Sequence, residues 1–160
     1  MSRFLQQLLI GVMLAYGGGT VALSANQADL VLGTWKLNLA KSKFDPGPAP
    51  KSQMRTYAQS EAGTTLTISG VAADGSPFST KATVKYDGKD YPLAGNPNYD
   101  ALSMKRINGA TVKTTLMRRG KVVGTMLRTV SDHGAVLTVS TKVTDPKGAA
   151  HNDVAVFDKQ

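Results

Sequence analysis

The chain has 160 residues, 41% hydrophobic and 19% charged, with 16 glycines, 7 prolines, no cysteine and a formal net charge of +8 at neutral pH. That length supports one domain with at most a short appendage and excludes large two-domain enzymes. The missing cysteine excludes disulfide-stapled miniproteins and thiol catalysis.

The first segment reads as an address. Met1-Ser2-Arg3 is a short basic start, Phe4 to Ala15 is apolar except for Gln6 and Gln7, and small residues follow at Gly17-Gly18-Gly19 and Ala22-Leu23-Ser24-Ala25. This is the order of a secretory signal peptide. The apolar run is shorter than the roughly 20 residues a membrane-spanning helix needs. The expected division is therefore a signal peptide over 1–28, cut between Ser24 and Ala28, and a barrel domain over 29–160, periplasmic or secreted, with no integral membrane segment.

From Asp29 onward apolar and polar residues alternate at period two, the pattern of half-buried strands. Ten strands are expected, over 33–39, 52–59, 64–71, 78–86, 89–93, 101–107, 110–118, 121–130, 136–144 and 153–158. In the clearest of them Phe78, Thr80, Ala82, Val84 and Tyr86 share one face, and Ser79, Lys81, Thr83 and Lys85 the other. Glycine punctuates the series at Asp74-Gly75, Asp87-Gly88, Asn108-Gly109, Arg119-Gly120, His133-Gly134 and Lys147-Gly148. Such pairs fit tight hairpins, whose backbone needs positive φ. With no room for crossover helices, successive strands pair with their neighbours in an antiparallel up-and-down meander. About ten twisted strands leave apolar edges unless the sheet closes, so the expected fold class is all-β, a closed barrel of eight to ten strands. Two proline-containing loops interrupt the pattern, over 40–50 and 94–100.

Gly33-Thr34-Trp35-Lys36-Leu37 opens the first strand, and Val154-Ala155-Val156-Phe157-Asp158-Lys159 forms the last. A Gly-x-Trp opening followed by a meander resembles the calycin superfamily, the lipocalins and, more closely, the fatty-acid-binding type. Gly33 through Phe44, with Tyr86-Asp87-Gly88-Lys89-Asp90-Tyr91-Pro92, is similar to secreted bacterial lipocalin-like proteins. On this resemblance Gly33 and Trp35 plug one end of the barrel, and the lumen takes a small apolar molecule. Fatty-acid-binding barrels hold a ligand carboxylate with Arg-x-Tyr on the final strand. Here Phe157 aligned to that Tyr puts Ala155 at the Arg, so that anchor is missing. The proline-rich 40–50 segment likewise has no room for the helical lid of the intracellular branch.

Candidate ligand contacts are Phe78, Val84, Tyr86, Met104, Leu116 and Met126, methionine suiting a pocket that repacks; the same residues would equally serve to fill a solid core. Arg128 shares a face with Met126 and Val130 and joins the candidates if that face points inward, although arginine is commoner on a surface. Chemistry is otherwise sparse. His133 and His151 have no ligand partners at metal-site spacing, and no nucleophile elbow, Walker loop or dinucleotide fingerprint occurs. Asp45, Asp74, Asp87, Asp90, Asp132 and Asp145 fall in turns, where aspartate bonds local backbone. No catalytic residue, metal or cofactor is expected. The lysines are scattered singly, and the basic group Arg118-Arg119-Gly120-Lys121 has no stacking aromatics beside it, so the charge predicts a solvated surface and no nucleic-acid partner. The expectation is a non-catalytic monomer binding a small hydrophobic ligand. The alternative is an interaction module like the secreted bacterial protease inhibitors built on Gly-x-Trp barrels, acting through an arm over 25–32 and loops holding Pro46, Pro48, Asn96 and Tyr99.

Overall fold

The computed structural model describes residues 29–131 and 133–160. The expected signal peptide, and Asp132 among the turn aspartates, lie outside the described residues. Ten strands follow in chain order: β1 (Gly33–Leu37), β2 (Ser52–Ser60), β3 (Gly63–Val71), β4 (Pro77–Val84), β5 (Asp87–Pro92), β6 (Ala101–Arg106), β7 (Thr111–Arg118), β8 (Lys121–Val130), β9 (Val136–Thr144) and β10 (Ala150–Lys159). All pairings are antiparallel, in one sheet ordered β4-β3-β2-β1-β10-β9-β8-β7-β6-β5. The all-β meander expected from the alternation is the fold observed.

The two halves of the sheet are joined by the two ends of the domain. β1 pairs with β10 through Trp35↔Lys159, Lys36↔Asp158 and Leu37↔Phe157. Both strands carry apolar residues on the inner face: Trp35 and Phe157 have no exposed surface, and Leu37 is buried beside them. The core thus forms across the seam as well as along each hairpin.

Neighbour pairing fails at one place. β4 and β5 stand at opposite ends of the strand order, so Asp87-Gly88 does not close the hairpin its sequence predicts. The chain instead sends Tyr86 toward the barrel base, where its hydroxyl meets Asp29 at 2.6 Å. β4 meets the chain just beyond β5 through a single bridge, Lys81↔Ala94, with backbone bonds of 3.0 and 2.9 Å. Gly95 makes that approach possible. A Cβ there would lie 2.1 Å from the Ser79 carbonyl oxygen, and its φ of +79° suits glycine alone.

The ends differ. At the base, Asp29 to Leu32 turn inward, Val31 is fully buried, and the Trp35 indole Nε1 donates to the Val31 carbonyl at 2.7 Å. At the mouth, β1 stops at Leu37 rather than Leu39 because Asn38 caps a turn of 3-10 helix (Leu39–Lys41) and donates through Nδ2 to Asp158 at 2.7 Å. The proline-rich segment after it is tied to β10 by Lys43–Val154 and Asn152–Asp45 backbone bonds.

Trp35→Ala, which empties the base of its largest buried side chain, is expected to cost about 3–5 kcal/mol. Urea unfolding followed by far-ultraviolet dichroism checks it; a loss under 1 kcal/mol would mean the base holds without the indole.

Candidate functional site

Two spaces lie inside the barrel. A deep cavity of about 30 Å³ is bounded by Arg55, Leu66, Met104, Thr114, Leu116 and Arg128, among others. A larger cup of about 320 Å³ opens at the mouth, walled by Phe44, Pro48, Phe78 and Met126 and, in comparable measure, by polar side chains that include Gln53, Asp145 and Asp153. Arg55, Tyr99 and Met126 line both, and so form the partition between them.

The expected ligand contacts divide between these places. Phe78 walls the cup, Met104 and Leu116 line the deep cavity, Met126 belongs to both, and Arg128 to the deep one. Val84 is 1% exposed and lines neither cavity. Tyr86 packs against the core and is spent on the polar network at the base. The structure therefore concentrates open volume at the mouth and leaves a nearly solid interior.

Arg128 is 4% exposed, inside the barrel, although arginine is commoner on a surface. Period two along β8 decides this, because Val130 and Arg128 must share a face and Val130 is buried. The consequence for the opposite face is Leu127, 46% exposed. The Arg128 guanidinium donates through Nη2 to the Tyr86 hydroxyl at 3.2 Å and lies 5.0 and 5.4 Å from the ring centres of Tyr57 and Tyr86. Tyr86 in turn donates to Asp29 at 2.6 Å, and Arg106 donates to the same carboxylate oxygen at 3.0 Å. Asp29 and Arg128 approach to 4.0 Å.

Burial alone would raise the Asp29 pKa, but the Tyr86 hydrogen bond and the charges of Arg128 and Arg106 outweigh it and hold the carboxyl below its ordinary value. Burial pushes the Tyr86 hydroxyl up, so it stays protonated and donating at neutral pH. Burial would lower Arg128; its tyrosine neighbours Tyr57 and Tyr86, together with Asp29, more than offset that.

Arg55 is the residue that sequence reasoning missed. It lies on β2, 7% exposed, with its guanidinium carbon 4.9 Å from the Phe157 ring centre. The stretch Gln53-Met54-Arg55-Thr56-Tyr57-Ala58 offers two faces with no clear apolar winner, Met54 and Ala58 on one and Tyr57 on the other. Pairing opposite Trp35 settles the matter, since Trp35 and Arg55 occupy matching positions and Trp35 points inward. Tyr99 was also unread as an interior residue. It sits in a proline-containing loop, where the Asn96 side chain accepts from the backbone N–H groups of Asn98 and Tyr99 and turns the chain back, and its ring packs against the core.

Both placements bear on the protease-inhibitor-like alternative. Residues 29–32 are folded into the barrel base, not extended from it, and Tyr99 is a partition residue rather than a rim contact. Residues 25–28 of the expected arm lie outside the described residues.

Several turn aspartates do what their positions predict: Asp74 accepts from Ser76, Asp87 from Lys89, and Asp145 from Lys147 and Ala149. No cluster of metal-ligand side chains occurs among the described residues, and none of their helices is long and apolar enough to cross a membrane.

No family model and no curated protein matches the sequence. Solved structures do. Zebrafish ileal bile acid-binding protein complexed with cholic acid superposes with a TM-score of 0.51 at 14% identity, over 82% of this chain and 99% of that one. The two share a fold, a barrel of antiparallel strands. A redesigned β-barrel, mFAP1, bound to DFHBI, also matches, with a TM-score of 0.38 at 16% identity, over 81% of this chain and 95% of that one.

Because folding holds the Asp29 pKa below its ordinary value of 3.8, the stability this group contributes is present in full above that value and is lost as pH falls through the lower folded value. Asp29→Asn is expected to cost about 2 kcal/mol at pH 7 and to shrink the difference between pH 7 and pH 3. Urea melts at the two pH values check this; identical acid sensitivity in both proteins would remove Asp29 from the account.

Proposed function

We propose that this chain is an exported, non-catalytic monomeric barrel that binds a small hydrophobic molecule at its mouth. The observation that carries the reading is the cup of about 320 Å³, walled by Phe44, Pro48, Phe78 and Met126 and open to solvent, in a domain whose core is otherwise filled. Binding pockets are concave, mostly apolar and set with a few polar groups. At this size the cup suits a compact ring system or short chain. A long lipid laid along the barrel axis does not fit, since only about 30 Å³ is free beyond the partition. Met126 and Tyr99, the floor of the cup, are the side chains whose rearrangement would deepen it. Arg55 is the charged group in that floor, and Asp145 and Asp153 stand in the walls above it, so the lining carries charge of both signs and favours a ligand with no net charge. Export rests on the signal-peptide pattern of residues 1–28.

The test is titration with the neutral apolar fluorophore N-phenyl-1-naphthylamine. The expected result is saturable enhancement, weakened about tenfold by Phe78→Asp, which puts a charge in the half-buried wall. No enhancement, together with a bare chain mass in native mass spectrometry of protein purified from its own host, overturns the reading.

A further inference from the structure

The buried charges do not balance. Arg55 and Arg128 are 7% and 4% exposed, line the same deep cavity, and each carries a full positive charge. Asp29 is the one carboxylate among the described residues that pairs with either of them, at 4.0 Å from Arg128, and it is shared with Arg106 at 3.0 Å. No described carboxylate forms an ion pair with Arg55; Asp145 and Asp153 line the outer cup, where Asp145 accepts from backbone N–H groups of its own turn and Asp153, on β10, accepts from the Asp45 N–H of the proline-rich segment.

Hydrogen bonding tells the same story independently. Arg55 Nε, Arg128 Nε and Arg128 Nη1 are buried and have no acceptor among the described residues. An uncompensated buried cation and a buried donor without an acceptor are each costly. The aromatic faces of Phe157, Tyr57 and Tyr86 offset part of the charge. The three nitrogens still lack a hydrogen-bond acceptor among the described residues.

From this combination of two guanidinium groups, three orphaned nitrogens and one small interior cavity, we propose that the deep cavity is a binding site for a small monovalent anion of halide size. About 30 Å³ holds one or two water-sized bodies. A chloride ion fits that space, accepts several N–H bonds at once and cancels the excess charge. Water filling the same space would satisfy the donors and leave the charge. The site does not depend on the proposed hydrophobic ligand, which occupies the cup on the other side of Arg55, Tyr99 and Met126.

The experiment follows thermal unfolding while sodium chloride replaces sodium gluconate at constant ionic strength, so that screening is unchanged and only a permeant anion is added. The expected result is a saturable rise in Tm, on the order of 5 °C at chloride well above its dissociation constant, absent in Arg55→Met. That variant is also expected to melt at or above the wild type in gluconate, since it removes an unpaired buried charge. Bromide-soaked crystals of the wild-type protein give a second reading that needs no variant: an anomalous peak within hydrogen-bond distance of Arg55 or Arg128 supports the site. A Tm indifferent to the exchange, or bromide at surface lysines only, overturns it. Failure of the fluorophore titration leaves this result untouched, and failure here leaves that one untouched.

Discussion

A nearly closed strand cylinder with guanidinium groups inside it must supply negative charge or hydrogen-bond acceptors to them, and this requirement organises both halves of the molecule. At the base it is met by Asp29, which precedes β1, crosses to the opposite wall and joins Tyr86, Arg106 and Arg128. That link explains why the entry segment is folded in and why β4 separates from β5: Tyr86 lies between them and its hydroxyl is claimed by the base. Above the base, Arg55 has no such partner, and there the interior opens toward the mouth.

The same requirement separates structural from binding residues. Trp35, Val31 and Phe157 have no exposed surface and bound neither cavity; their contribution is apolar area removed from water. Met126, Tyr99 and Arg55 touch both spaces, and all three are long side chains held at the edge of a gap. A fold with 0% exposure at one end and an open cup at the other divides stability from recognition along its axis. Bulky substitutions at the base strain packed neighbours, whereas substitutions at Phe78 change a wall that already faces solvent.

The strand order was legible because alternation and Asn-Gly or Arg-Gly turns act locally. Arg119-Gly120 shows this well: both residues take positive φ, 51° and 73°, and Arg118 pairs directly with Lys121. Asp87-Gly88 has the same signal and a different outcome, because Tyr86 gains more at the base than the hairpin offers. The interior was less legible. Period two states which residues share a face but not which face is inside, and apolarity normally breaks the tie. On β8 the rule would place Leu127 inward and Arg128 outward; Met126 and Val130 outvote it. On β2 the vote is nearly even, and the register across the proline-rich 40–50 loop, Trp35 opposite Arg55, decides. Charge compensation across the barrel, from Asp29 to Arg128, joins positions almost a hundred residues apart and leaves no local mark.

That the interior cations are arginines follows from the walls available to them. A guanidinium is planar and delocalised, stacks on aromatic faces and sheds water more readily than an ammonium. Arg55 takes the Phe157 face, and Arg128 takes those of Tyr57 and Tyr86. A lysine at either position would present a compact, strongly hydrated charge with no plane to stack. The exposed charges show the complementary choice: Lys81, Lys105 and Lys113 project from the outer face, where a hydrated ammonium costs little. Among the described residues arginine occurs on both sides of the wall and lysine is buried nowhere, a consequence of desolvation. This distribution gives the lumen a fixed positive charge while the net charge of +8 is carried largely by a solvated exterior.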